Sequence, residues 1–294
     1  MQTKQQIQTL LAAGGLAPNT RLGQHFLIDL NLMRLLLDSA QITKNDVVLE
    51  VGCGTGSLTC ELAERAGAVI AVELDTNLAP IAQQQLEGYN NVKVFNTDIL
   101  ATKNKLNPEV MDALDACRRK CAGRLLLVSN LPYSVASAVM INLVTAPAAA
   151  DAMYVTVQKE VAQRMTAKPG IHEYGALSII LTAAGDIKTL RILKPTVFWP
   201  QPQVDSAMVS FARREDKFRS IDDVRIFSRV INLFMQHRRK MLKACTKFAA
   251  GDLKDVTDWL DIFARCDIEP TNRPEQLAPQ DFVNIANLCA KKLT

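Results

Sequence analysis

Two short segments hold residue types that can do chemistry. The first, Glu50-Val51-Gly52-Cys53-Gly54-Thr55-Gly56-Ser57, follows the apolar run Val47-Val48-Leu49. Alternating glycines let a backbone turn sharply and approach a ligand with no Cβ in the way. A dinucleotide-binding fingerprint would carry its third glycine at position 57, which is Ser57. The resulting E-x-G-x-G-x-G pattern therefore fits S-adenosylmethionine better than NAD. Glu73 stands at the next strand end, where a carboxylate can accept two hydrogen bonds from ribose hydroxyls, a device NAD enzymes share. Asp98 closes the third predicted strand and can accept a hydrogen bond from the adenine amino group of the cofactor. Asp75 reads as a solvated neighbour of Glu73.

The second segment, Asn130-Leu131-Pro132-Tyr133, follows Leu125-Leu126-Leu127-Val128. An adenine N6 amine is a poor nucleophile because its lone pair is delocalised into the ring. Two acceptors that hold its hydrogens bias the nitrogen toward sp³ geometry and aim the lone pair. Asn130 offers a side-chain oxygen, and Leu131 a backbone carbonyl. Pro132 removes a competing N–H and stiffens the turn. Tyr133 offers a flat face for an extruded base, a contact worth about 1–3 kcal/mol. A sulfonium methyl is already activated, so neither a covalent nucleophile nor a metal is needed. Catalysis then rests on positioning.

Positioning demands a scaffold. Strand-like runs at Val47–Val51, Ala68–Leu74, Val92–Asp98, Leu125–Asn130 and Met153–Gln158 alternate with predicted helices at Thr55–Arg65, Leu78–Leu86 and Ser134–Thr145. Near-continuously apolar strands alternating with helices imply a parallel sheet covered on both faces. Ligands of such sheets bind where strands run out into turns. A helix near Tyr174–Ala184 comes next. Ile187–Leu193 and Ala207–Arg213, joined by the proline-rich loop Pro195–Pro202, then read as an antiparallel pair at the sheet edge. Beyond about residue 215 the pattern is helical: Ile226, Val230, Phe234, His237, Met241, Cys245 and Phe248 recur at helical spacing, and Gly251 marks the stop. The predicted domains are 1–215 and an all-helical 216–294.

Composition narrows the classes. A chain of 294 residues that is 48% hydrophobic supports a sizeable core and argues against disorder. No apolar run approaches the ~18 residues of a membrane span. Leu10–Leu16 is read as part of a helix leading into the first domain rather than as a secretory signal. Seven cysteines, an odd number, suggest no disulfide or zinc framework, and they read as reduced cytosolic thiols. Residues 212–247 carry eleven Lys/Arg against four Asp/Glu, a net +7, within a chain of net +4. A basic block on a mildly acidic body points to a polyanionic partner. Arg239, Lys243 and Lys247 are four apart and share a face of the predicted helix. That face contacts phosphate or is merely solvated, and the same two readings hold for Arg118-Arg119-Lys120. His237, within the apolar stripe, is expected to be packed. Phe198 and Trp199 line a base entrance or pack the loop.

Taken together, these segments resemble the small-subunit ribosomal RNA adenine N6,N6-dimethyltransferases. The resemblance rests on Glu50–Gly56 and Asn130–Tyr133, with Gly23–Leu27, Phe198–Ala207, Phe234–Lys240 and Arg273–Leu277 as further matches, and covers roughly residues 18–292. It implies a Rossmann-like methyltransferase with a seven-stranded, mostly parallel sheet and a small helical C-terminal domain. It implies two successive methylations on each of two adjacent adenosines near the 3′ end of small-subunit rRNA, in a pre-30S-type particle, and a role in ribosome assembly. The implied S-adenosylmethionine contacts are His25, Leu27, Gly52, Gly54, Glu73, Asp98 and Asn130, and the implied RNA contacts are Arg238, Arg239, Lys240, Lys243 and Lys247. His25 departs from the asparagine many members carry, and the stretch Ala101–Gly123 is longer than usual. The expected protein is a cytoplasmic monomer without metal. Rival readings are a large-subunit rRNA adenine methyltransferase of the macrolide-resistance type, a non-catalytic assembly factor on the same scaffold, and a small-molecule methyltransferase.

Overall fold

The computed structural model describes residues 1–146 and 149–293. The chain divides into two compact units, Met1–Ala162 with Lys188–Ala212, and Gln163–Ile187 with Arg213–Thr294. Residues 163–187, expected within the 1–215 domain, fall in the second unit. They group with the C-terminal helices because Tyr174, 1% exposed, donates its hydroxyl to the Leu277 carbonyl at 2.8 Å, and the Ala176–Ala184 helix packs on those helices.

Seven strands form one sheet: β1 Val47–Val51, β2 Ala68–Glu73, β3 Val92–Asn96, β4 Leu125–Asn130, β5 Ala152–Gln158, β6 Gly185–Leu193 and β7 Ser206–Arg213. Their order is β3-β2-β1-β4-β5-β7-β6. The first five run parallel, and β7 pairs antiparallel with β5. β1 is buried along its whole length, as expected of a strand covered on both faces, whereas edge strand β3 exposes Lys93 and Asn96. Helices α1 Lys4–Ala13, α2 Leu30–Ala40, α3 Ser57–Arg65, α4 Leu78–Gln85, α5 Pro108–Lys120 and α6 Ala136–Thr145 accompany the sheet. α2 shows why they form: Asp29 caps the N–H groups of Asn31 and Leu32, and Met33, Leu36, Leu37 and Ala40 fall on one buried stripe. The core joins these to Val48, Leu62, Val69, Leu126 and Val128. In α5, Arg118 pairs with Asp151 at 3.0 Å and donates to the Ala149 carbonyl, so of its basic trio only Arg119 and Lys120 face solvent.

The strand order reverses between β1 and β4, which lie side by side with Val47 opposite Leu125 and Leu49 opposite Leu127. Crossovers leave these two strands in opposite directions and open a crevice beyond their C-terminal ends. The Ser129 hydroxyl donates to the Val51 carbonyl at 2.6 Å, fixing the strand ends where the ladder stops.

In the second unit, Phe234 meets Trp259, Phe263 and Phe282 with ring centroids 5.8–6.4 Å apart. The helix expected to continue to Phe248 stops at Gln236. The Lys240 N–H closes a turn on the His237 carbonyl, and the N–H groups of Leu242 and Lys243 bond the Asn272 and Pro270 carbonyls instead of helical ones. A single turn Leu242–Cys245 and a 3₁₀ turn Thr246–Phe248 follow. Arg239, Lys243 and Lys247 therefore do not share one helix face. Among the described residues no helix is long and apolar enough to cross a membrane.

Candidate active site

The crevice is a cavity of about 1250 Å³, counting its solvent-open mouth, lined by both motifs and by residues 22–27. Gly52, Gly54 and Gly56 have φ of +78°, +58° and +81°. These are left-handed values that disfavour any side chain. A Cβ on Gly52 would lie 2.8 Å from Pro132 Cγ, and one on Gly54 would lie 2.9 Å from Phe26. The glycine turn is thus packed directly against the second motif.

Glu73 ends β2 nearly buried, and its two oxygens accept the N–H groups of Gly54 (2.8 Å) and Asp75 (2.9 Å). Each oxygen keeps a second lone pair free to accept a further hydrogen bond. Burial pushes its carboxyl above the usual range. Asp75 is not the solvated neighbour expected: it is 9% exposed and accepts the Gln24 side chain at 2.7 Å, tying the Gly23–Leu27 segment to β2. Asp98 lies beyond the end of β3 rather than within it, exposed, with one oxygen held by the Leu100 N–H. Cys53 also lines the cavity, and burial keeps its thiol protonated and inert.

Glu50 is fully enclosed, and its Oε2 has no hydrogen-bond partner. Burial pushes its carboxyl up to about 8. The folded protein therefore binds this proton more tightly than the unfolded chain does. Its stabilising effect is complete below about pH 4.5 and lost as pH rises through 8, a few kcal/mol in all. In ligand-free protein, Glu50→Gln removes this dependence. Between pH 5 and 8.5 the wild-type Tm is expected to fall relative to the variant, and parallel curves would contradict the assignment.

The second motif is held from three sides. The Asn130 Nδ2 group donates to the His25 carbonyl at 2.7 Å, and the Thr156 hydroxyl donates to Asn130 Oδ1. The Leu131 N–H bonds the Thr156 carbonyl at 3.2 Å. Tyr133 shares a 2.6 Å hydrogen bond with the Ser206 hydroxyl, and its ring stacks on His25 at 5.7 Å. His25 Nδ1 lies 2.7 Å from the Pro200 carbonyl, which can only accept, so Nδ1 carries a proton. Phe26 and Leu27 pair with Trp199 and Phe198, and Trp199 stacks on Phe26 while Phe198 is buried. Of the two readings for this loop, the packing role is the one observed. Ser129 and Thr156 carried no sequence signal, and Gln24 and Ser206, though inside matched segments, were given no role, since each acts through a tertiary contact to a residue far along the chain.

In the second unit, Arg238 is committed internally. Its guanidinium donates to the His172 and Tyr174 carbonyls at 3.1 Å and pairs with Glu275 at 3.3 Å. Arg239, Lys240, Lys243 and Lys247 are exposed, and His237 stacks on Phe248 at 4.0 Å.

A seven-stranded sheet with this order and a glycine cradle at its switch point defines a Rossmann-like S-adenosylmethionine-dependent methyltransferase. The family model described as "Ribosomal RNA adenine dimethylase" matches residues 15–291. The chain is 36% identical over 282 residues to "Ribosomal RNA small subunit methyltransferase A" of Pediococcus pentosaceus, covering 95% of this chain and 92% of that one. It is 34% identical over 283 residues to the protein of the same name from Geobacillus kaustophilus, covering 96% and 94%. It thus belongs to the ribosomal RNA adenine dimethylase family. The fold is shared with a dimethyladenosine transferase from Plasmodium falciparum (TM-score 0.69, 23% identity, 91% and 98% of the two chains). It is shared also with the 23S rRNA methyltransferase ErmE (TM-score 0.58, 21% identity, 89% and 98%).

Proposed function

We propose that the protein dimethylates the N6 amines of two adjacent adenosines near the 3′ end of small-subunit rRNA in a pre-30S-type particle, contributing to ribosome biogenesis. The observation that carries this is the direct packing of the glycine cradle on the Asn130–Tyr133 turn in one cavity, in a chain whose relatives are named for the small subunit.

The cradle fits the cofactor: three left-handed glycines leave room at the ligand, Glu73 keeps free lone pairs, and Glu50 leaves a buried acceptor oxygen unsatisfied. Gly52, Gly54, Glu73, Asp98, His25, Leu27 and Asn130 hold it in this proposal. When bound, S-adenosylmethionine supplies an activated methyl group. Asn130 Oδ1 and the Leu131 carbonyl accept the two amine hydrogens and aim the nitrogen lone pair. Tyr133 stacks on the extruded base, its ring fixed by Ser206. The shape of the turn thereby converts binding energy into alignment.

Arg239, Lys240, Lys243 and Lys247 contact RNA phosphates, positioning the substrate without reading its sequence. Arg238 supports this surface from beneath through its internal contacts. The protein acts in the cytoplasm as a monomer and uses no metal.

The test is transfer of labelled methyl groups to small-subunit particles, large-subunit particles and bare rRNA, with nucleoside analysis. Dimethyladenosine in small-subunit material alone is the expected result. Label in large-subunit RNA would move the protein to the resistance type, and cofactor binding without any label would favour an assembly role. In the same assay, glutamate at positions 239, 240, 243 and 247 is expected to weaken RNA binding and flatten its salt dependence, with cofactor affinity unchanged.

A further inference from the structure

The side-chain amide of Asn130 is the amine acceptor in this proposal whose orientation the covalent chain leaves open. The χ2 torsion of an asparagine is broad and roughly two-fold, so backbone placement alone does not fix where Oδ1 points. The structure supplies two constraints. The His25 carbonyl can only accept a hydrogen bond, so the atom facing it at 2.7 Å is the amide nitrogen. Oδ1 therefore faces Thr156, whose hydroxyl must be the donor there.

Thr156 is fully buried on β5, directly opposite Asn130 in the parallel ladder. Its backbone carbonyl also receives the Leu131 N–H at 3.2 Å. One residue thus touches both positions that supply acceptors to the amine: Asn130 through its side chain and Leu131 through its main chain. A carbonyl oxygen has two lone pairs. With one taken by Thr156, a single lone pair of Oδ1 is left, in a fixed direction.

We infer that Thr156 is a positioning residue for methyl transfer: its hydroxyl locks the Asn130 amide so that one Oδ1 lone pair meets the substrate amine. This inference rests on the amine-acceptor role proposed for Asn130. It predicts a division of labour within Thr156. The main-chain contact to Leu131 survives any substitution, while the hydroxyl contact is lost with a residue of equal shape and no donor.

Thr156→Val is that change. It is expected to lower kcat about 10–100-fold, the scale of a small misplacement of a reacting group. The KM for S-adenosylmethionine, the RNA affinity and the Tm are expected to stay within about twofold or a few degrees of wild type. Thr156→Ser restores the donor and is expected to recover most of kcat. In a background of Asn130→Ala, Thr156→Val should cost nothing further, because the group it orients is gone. A kcat within twofold of wild type in Thr156→Val, or failure of serine to rescue, would overturn the inference.

A second readout needs no RNA. In ¹⁵N-labelled protein the Asn130 side-chain amide, assigned by its absence from Asn130→Ala, is expected to exchange its protons slowly. Thr156→Val should speed that exchange at least tenfold, and unchanged exchange would overturn the locking role. Should wild-type protein transfer no methyl group to small-subunit material, the functional proposal falls while this readout still decides whether Thr156 locks the amide.

Discussion

Asn130→Ala is expected to lower the rate of methyl transfer by about 10³-fold, the upper range for losing one preorganised polar contact to a reacting group, and to leave RNA affinity within about twofold. The size of the loss follows from three connections that end in one side chain. Oδ1 is the proposed acceptor for an amine hydrogen, and nothing else in the turn replaces it. Nδ2 is the donor to the His25 carbonyl, so truncation also frees the segment that borders the cavity. Thr156 then keeps a buried hydroxyl without its partner. Single-turnover transfer with saturating cofactor and RNA isolates the chemical step, and filter binding reads RNA affinity separately. Cofactor affinity should fall several-fold, through His25, but far less than the rate. Equal loss of RNA binding and of rate would contradict the assigned role. Asn130→Asp sharpens the test. It keeps the shape but turns an oxygen toward the His25 carbonyl, so it is expected to be no better than alanine.

The parts of the site that were legible in the sequence are those whose chemistry is written locally. Glycine at 52, 54 and 56 announces left-handed backbone, and the apolar runs on either side of Leu49 and Leu127 announce buried parallel strands. That both motifs lie where a strand runs out into a turn was legible too, whereas the adjacency of their two strands emerged only in the sheet order. What escaped is tertiary. Asp75 looks like a surface acid until Gln24, 51 residues earlier, donates to it. Arg238 looks like a phosphate ligand until two carbonyls and Glu275 surround it. The stripe from Ile226 to Phe248 has helical period throughout. Yet the helix stops at Gln236: the His237 and Lys240 N–H groups close short turns on the Phe234 and His237 carbonyls, and those of Leu242 and Lys243 go to the Asn272 and Pro270 carbonyls rather than back into a helix. Periodicity reports which residues are buried, and it cannot report which carbonyl a buried N–H will choose.

Gly52→Ala is expected to weaken S-adenosylmethionine binding by at least about 30-fold, roughly 2 kcal/mol, and to lower kcat as well. Two independent costs fall on one methyl group. The backbone at Gly52 has φ of +78°, which costs a non-glycine residue about 1–2 kcal/mol. The added Cβ would also stand 2.8 Å from Pro132 Cγ and 3.0 Å from Cδ. A flexible side-chain tip would swing aside, but a pyrrolidine ring is fixed to its own backbone. Relief therefore means moving the cradle, the Asn130–Tyr133 turn, or both. On the proposed roles, movement of the cradle costs cofactor affinity, and movement of the turn costs alignment of the proposed amine acceptors. Gly54 makes the contrast instructive, since its Cβ would meet only the ring edge of Phe26. Gly54→Ala is accordingly expected to impair cofactor binding more than kcat. Gly88 supplies a control, with no atom within 4 Å of an added Cβ and no left-handed φ. Calorimetric titration of cofactor and single-turnover rates for the three variants separate the two costs. Wild-type affinity together with wild-type kcat in Gly52→Ala would mean that the two turns are not mechanically coupled, and that the contact between Gly52 and Pro132 carries no alignment.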